Sequence, residues 1–466
     1  MTTWQKAIAN PASEFSATPL EIISGSLPSG LQGTLYRNGP ARLNRGKQRV
    51  GHWFDGDGAI LGVNFNSHGA TATYRYVQTE GYLAEAKADK YLFPNYGMTA
   101  PGAFWNNVTK SPKNSANTSV LAVGDRLLAL WEGGLPHGLD LATLETLGKD
   151  SLGETLDNPF SAHPKVDAAT GEIFNFGISP GKDTTLHLYK SDKSGKVIKQ
   201  NSFPLDGLPL VHDFVLAGDY LVFLISPVRT NVIPVLLGKK SYSEAMAWQP
   251  ELGTQIWICD RHNLDLIARS ETEPWYQWHF TNGCLDEQGN IVIEFVRYED
   301  FATNQYLKEV ATGSTQTPAK GTLWQLTIDP KTAKVIDNQQ LLDRHCEFPL
   351  PNPDLVGKPW RYSYLSTLRY ETDMPQELLT AIARYDRETD KLEIADMGVD
   401  MYPSEPIYVS NPHSDAGWLL TVVYNGKQDT SELRIYSSDA LESDPLCSLA
   451  LPSVIPHGFH GTWKSS

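Results

Sequence analysis

SVLAVGDRLLALWEGG, residues 119–134, sets the pattern for the whole chain. Two short runs rich in Leu, Val and Ala meet at Gly124-Asp125, a dipeptide that suits the tight loop of a β-hairpin. DFVLAGDYLVFLIS (213–226) repeats the arrangement across Gly218-Asp219. Five more stretches have the same form: DAATGEIFNFGI (167–178), YKSDKSGKVIKQ (189–200), CLDEQGNIVIEF (284–295), LTIDPKTAKVIDN (326–338) and ARYDRETDKLEIADMG (383–398). Each carries Asp, Gly or Lys where a short hairpin loop needs them. Long amphipathic helical patterns are rare. Hairpins spread this evenly, with no convincing linker between them, predict an all-β protein forming a single domain over 1–466. A sandwich uses far fewer strands, so a β-propeller with long inserted loops fits better. The WD and kelch signatures are absent, and the propeller reading rests on hairpins alone. Segments 225–250 and 300–320 break the rhythm and read as inserts on one face.

Bulk properties narrow the function. The 466 residues include 39 Lys+Arg and 54 Asp+Glu, for a formal net charge of −15. No basic stripe is present to displace counterions from phosphates, so nucleic acid is not an expected partner. No apolar run reaches the length of a transmembrane helix. The first residues, MTTWQKAIANPASEF, lack the basic and apolar regions of a secretory signal. Cys259, Cys284, Cys346 and Cys447 are scattered without CxxC spacing and read as reduced, buried thiols of a cytoplasmic protein.

The chain has twelve histidines. Four stand at the edge of an apolar or aromatic run: His163 in FSAHPKVD, His212 in PLVHDFVL, His279 in YQWHFTNG and His460 in GFHGTW. Their spacing allows each to fall on a different blade, since a blade takes about 40–50 residues before inserts are added. Inner-strand ends of different blades converge on the propeller axis, a natural place for a metal. His52, His68, His137, His187, His262, His345, His413 and His457 mostly sit in polar turns or beside charges and read as ordinary structural residues. Of these, His345 in DRHCEFPLP stays worth watching.

Taken in order, LQGTLYRNGP (31–40), HWFDGDG (52–58), EGG, AHP, HDF, WHxxN, CEFP, EP and the final HGTW resemble the carotenoid cleavage oxygenase family along nearly the whole chain. The pattern is nearest that of the bacterial apocarotenoid oxygenases. The resemblance implies a seven-bladed propeller capped by a dome of loops and short helices. It implies a ferrous iron, Fe(2+), held on the axis by His163, His212, His279 and His460, with His457 a neighbour of the ligand set. It further implies that Glu132, Glu347 and Glu405 accept the far ring N–H of three of these histidines, fixing tautomer and orientation. Thr118, in ANTS, matches the position beside one open coordination site.

No dinucleotide fingerprint or phosphate loop appears, so electrons must come from iron and substrate. That suits a dioxygenase that splits an electron-rich C=C with O2 into two carbonyl products. Trp131 and Trp278 immediately precede Glu132 and His279, and Phe54 matches a tunnel position; the alternative for all three is core packing. Trp131 also distinguishes family branches, because the stilbene-cleaving members carry a lysine there that helps activate a phenol. TNVIPVLLGKKSY (230–242) is an apolar loop ending in Lys239 and Lys240. That composition fits either a segment that dips into a bilayer while its cations meet headgroups or a buried insert strand.

The expectation is a monomeric, peripherally membrane-associated Fe(2+) dioxygenase acting on an apocarotenoid or carotenoid, with cleavage at the 15,15′ bond to give retinal as the first guess. Two alternatives remain at this stage: a stilbene-cleaving dioxygenase of the resveratrol type, and a propeller scaffold that binds a partner without catalysis.

Overall fold

A computed structural model describes residues 2–153, 156–181, 183–414 and 416–466. Six of the seven quoted stretches form antiparallel strand pairs, and in the other, 167–178, strand Ile173–Ser179 pairs with Lys165–Val166 just before it. Ser119–Val123 pairs with Arg126–Leu130, and Val215–Ala217 with Tyr220–Ile225. Their loop glycines, Gly124 and Gly218, sit at φ +54 and +57, the left-handed region that a side chain disfavours.

The sheets stand around a common axis, each packed face to face on the next. Tyr36, Ile60, Val120 and Leu127 join the first sheet to the second. Leu121, Leu130, Ile173 and Tyr189 join the second to the third. Packing continues in this way until Leu35 and Leu61 of the first sheet meet Val409, Leu420 and Leu433 of the last. The architecture is therefore all-β and propeller-like. Its hydrogen-bonded sheets do not come one to a blade. One is eight-stranded, because Val215–Ala217 and Phe280–Leu285 lie side by side and share a single parallel pair, Ala217 with Gly283. A Cβ on Gly283 would lie 2.8 Å from the Ala217 methyl, so only glycine permits this approach.

The two ends of the chain close the ring. Gly461–Ser465 pairs with Gly33–Arg42, and Ile22–Gly25 pairs with Cys447–Ala450. The sequence inserts lie where the hairpin rhythm lapses. Residues 225–250 form a small ribbon, Val228–Thr230 with Met246–Trp248, around the short helix Val232–Leu236. Helix Ala302–Val310 lies in the first half of 300–320. The 230–242 segment is thus not a buried strand. Its Val232, Ile233, Leu236 and Leu237 are exposed, Ile233 by 65%. All four cysteines are buried and unpaired.

Candidate metal centre

Each of the four singled-out histidines comes just before an inner strand. His163 precedes Lys165–Val166, His212 precedes Val215–Ala217, His279 precedes Phe280–Leu285, and His460 precedes Gly461–Ser465. Inner strands converge on the axis, so four side chains from distant parts of the sequence meet there. One ring nitrogen from each lies within 4.8 Å of all the others. His212 Nε2 and His279 Nε2 are 3.2 Å apart.

Three of the four have a carboxylate on the opposite nitrogen. His279 Nδ1 is 2.5 Å from Glu347 Oε2, His460 Nδ1 is 2.9 Å from Glu405 Oε1, and His212 Nδ1 lies against Glu132 Oε1. With Nδ1–H donated to the carboxylate, Nε2 is left as a lone pair. Lone pairs this close repel unless a cation sits between them. His163 Nε2 is buried with no hydrogen-bond partner, a cost that a Lewis acid removes. The donor set therefore fits a metal ion.

The glutamates are themselves held. Glu347 also accepts from Tyr298 Oη at 3.0 Å and from the Phe348 N–H at 2.6 Å. Glu405 accepts the Gly461 N–H at 2.9 Å, while the Arg37 guanidinium donates to the Glu405 and Phe459 carbonyls at 2.7 and 2.9 Å. Burial pushes both carboxyls up, but the imidazole partners and these donors outweigh it, and both lie below the ordinary carboxylate range. His163 falls well below the usual imidazole value, first through burial and then through its three ring neighbours. It is neutral, as a ligand must be. Arg37 lies inside the LQGTLYRNGP motif, whose sequence does not show this role, and Tyr298 is an addition that no short motif marked.

A cavity of about 400 Å³ opens onto the cluster. Thr118, Trp131, Trp278 and Phe54 all line it. The Thr118 carbonyl accepts the His460 N–H at 3.2 Å, which places this residue beside the histidines. Trp278 stands edge-on to His212, with centroids 4.7 Å apart, and its indole donates to Thr303 Oγ1 at 3.0 Å. Phe54 packs against Trp278, Tyr96 and Phe459. The inserts supply Val235, Tyr242, Thr303, Tyr306 and Leu307 to the same wall. His457 is outside the cluster: its Nε2 is 2.9 Å from the Trp4 carbonyl, tying the N-terminal turn to the ring. His345 is also outside, with Nδ1 accepting the Gly321 N–H at 3.1 Å.

A four-histidine group that fits a metal, at the axis of a propeller-like ring and facing an apolar cavity, defines the class of protein. The family model described as retinal pigment epithelial membrane protein matches residues 8–465, and the chain belongs to this family, the carotenoid oxygenases. It is 33% identical over 461 residues to apocarotenoid-15,15′-oxygenase of Synechocystis sp., covering 96% of this chain and 93% of that one. Resveratrol cleavage oxygenase 1 of Aspergillus fumigatus is 26% identical over 487 residues, covering 97% and 93%. The crystal structure of cobalt-substituted Synechocystis apocarotenoid oxygenase superposes with a TM-score of 0.90 at 31% identity, covering 100% of this chain and 98% of that one.

Proposed function

We propose that this protein is a ferrous dioxygenase that uses O2 to cleave one C=C bond of an apocarotenoid or carotenoid into two carbonyl products, with the 15,15′ bond and retinal as the leading case. One observation carries the reading: four mutually facing histidines, three of which, His212, His279 and His460, line an aromatic-walled cavity. His163, His212, His279 and His460 would hold Fe(2+), and Glu132, Glu347 and Glu405 would fix three of the rings. When bound there, ferrous iron supplies the electrons that activate O2 toward an electron-rich double bond.

The chain's own residues do the rest. The three carboxylates keep Nδ1 protonated and turn Nε2 inward. Trp131, Trp278 and Phe54 exclude water and grip a flat polyene, so that binding places one double bond near the cluster. Thr118 narrows the space beside His460. The stilbene reading finds less support, because position 131 carries no cation to partner a phenol. Among the described lining residues the one lysine is Lys240, which is exposed.

Greasy substrates reside in membranes, and the cap offers a route. Phe104, Trp105 and Val108 are exposed beside Val232, Ile233, Leu236 and Leu237. Gly238 approaches Asn107 so closely that a Cβ would lie 2.6 Å from its Nδ2. The two short helices thus form one apolar patch, with Lys239 and Lys240 at its rim and Val235 and Lys240 also lining the cavity. No helix among the described residues is long and apolar enough to cross a membrane. We therefore read the protein as a cytoplasmic monomer that docks on a bilayer through 104–108 and 230–242.

The whole chain, 1–466, is read as one domain with seven blades, the eight-stranded sheet counting as two that share the Ala217–Gly283 pair. In this count the short helices and loops over the cavity form the dome.

Product mass tests the function. Fe(2+)-loaded protein is incubated under ¹⁸O₂ with an apocarotenal, β-carotene and resveratrol. Two labelled carbonyl fragments from a polyene establish the reaction and name the bond. Cleavage of resveratrol alone transfers the reading to stilbenes, and no cleavage by iron-loaded protein overturns it.

A further inference from the structure

Three of the four histidines have a carboxylate partner, and His163 has none. What holds its segment is a different device. Lys165 Nζ lies 2.7 Å from Asp213 Oδ1, and Asp213 Oδ2 accepts the Phe280 N–H at 3.1 Å. Asp213 follows His212 directly, Phe280 follows His279 directly, and Lys165 is two residues beyond His163. One carboxylate, 97% buried, therefore ties together three ligand-bearing segments, its own, that of the Lys165 side chain and that of the Phe280 backbone. Glu132, Glu347 and Glu405 each serve one ring; Asp213 serves three strands.

We propose that Lys165 and Asp213 form a positioning pair that sets His163 in register with His212 and His279, standing in for the carboxylate that His163 lacks. The proposal rests on the four-histidine metal site proposed above. A ligand must be held within a fraction of an ångström, and second-sphere groups do this at a typical value of about 10–100-fold in metal affinity. In its own loop Ser161 Oγ accepts the His163 backbone N–H at 3.3 Å, but that contact holds the backbone and leaves the ring without a carboxylate. The Lys165 ammonium, largely but not wholly buried, reaches across to the neighbouring inner strand and closes the gap.

The test uses full-length apoprotein, with cobalt(II) as the probe. Wild type, Lys165→Met and Lys165→Arg are titrated with Co(II), following visible d–d absorption and affinity, and the melting temperature of each apoprotein is recorded. Lys165→Met is expected to weaken Co(II) binding about tenfold or more and to alter the d–d bands, while Lys165→Arg stays within about threefold of wild type. A Lys165→Met protein whose melting point falls while its Co(II) affinity and bands match wild type has lost packing alone, and that overturns the pair's positioning role. If Lys165→Met does not fold, Lys165→Gln is judged by the same two readouts. Wild type that binds no Co(II) defeats the metal-site reading itself, an outcome distinct from a wild type and a Lys165→Met protein that bind alike.

Discussion

The axis and the cap of this ring depart from ordinary burial in opposite directions. At the axis, three buried imidazoles, a fourth that is nearly so, and the buried carboxylates Glu347 and Glu405 are packed together. At the cap, seven large apolar side chains on and beside the short helices Asn106–Thr109 and Val232–Leu236 are left facing water. Either departure is costly by itself: buried lone pairs without donors lose hydration, and a contiguous exposed apolar patch invites association. Each becomes reasonable when something absent from the chain supplies the missing contact, a cation in one case and a lipid surface in the other. Violations of the burial rule mark where a protein meets its surroundings.

The sharpest way to break this picture lies inside one short stretch, PHGFHGTW (456–463). His460→Ala is expected to reduce iron content more than a hundredfold, whereas His457→Ala keeps it near wild type and lowers the melting temperature through loss of the Trp4 contact. Metal analysis of both purified variants checks this, and equal loss in the two contradicts the assignment of His460.

Glu347→Gln should lower metal affinity about 10–100-fold. The amide keeps an acceptor for His279 but loses the charge that favours the ring's Nδ1–H, and it brings an N–H toward the Phe348 and Tyr298 donors. Competition with a metallochromic chelator measures the change.

A third experiment separates histidines that serve the cluster from those that serve the fold. His457 is depressed to about 4 by burial, despite its bond to Trp4. In the unfolded chain it titrates near its ordinary value, so between those two values the unfolded state binds more protons. Stability is therefore complete above about pH 6.5 and falls as the solution is acidified toward 4, by about 2 kcal/mol at pH 5 for this residue. Denaturant unfolding of apoprotein at pH 7 and pH 5 should show a smaller difference in His457→Gln than in wild type. An unchanged difference would mean that His457 is not buried neutral.

The smallest effect is expected at the cap. Ile233→Glu with Leu236→Glu should weaken co-sedimentation with liposomes by about tenfold, from lost apolar burial, with iron content unchanged. Binding to vesicles at the wild-type level would remove the patch from the membrane reading.

Legibility in the sequence followed the distance over which each feature is specified. Hairpins are local, and Gly124 and Gly218 announce their turns to any reader. The histidines were first set apart by their places at the edges of apolar runs, and the fixed order of short motifs then tied them into one set; none of the four is conspicuous alone. Arg37 stood inside a quoted motif and Tyr298 in none, but neither showed its role, because they meet Glu405 and Glu347 only after strands far apart in the chain are brought together. The joining of two hairpins into one eight-stranded sheet at Ala217 and Gly283 was equally hidden, being one parallel contact between residues in separate hairpins. Half of the apolar patch was read from 230–242. The other half, Phe104, Trp105 and Val108, is broken up by asparagines and gains its meaning from the neighbouring helix.

The strand that follows His460 pairs with residues 33–37, and this has a consequence for how the molecule comes into being. The fourth ligand is delivered by the same event that clasps the circle. While the chain is being synthesised it can present three histidines but not four, and the enclosing wall is open on one side. Joining segments so remote in sequence adds little to the entropic cost, which rises only logarithmically with loop length, but it makes the last step slow. A metal held by all four histidines would therefore require the circle to be closed.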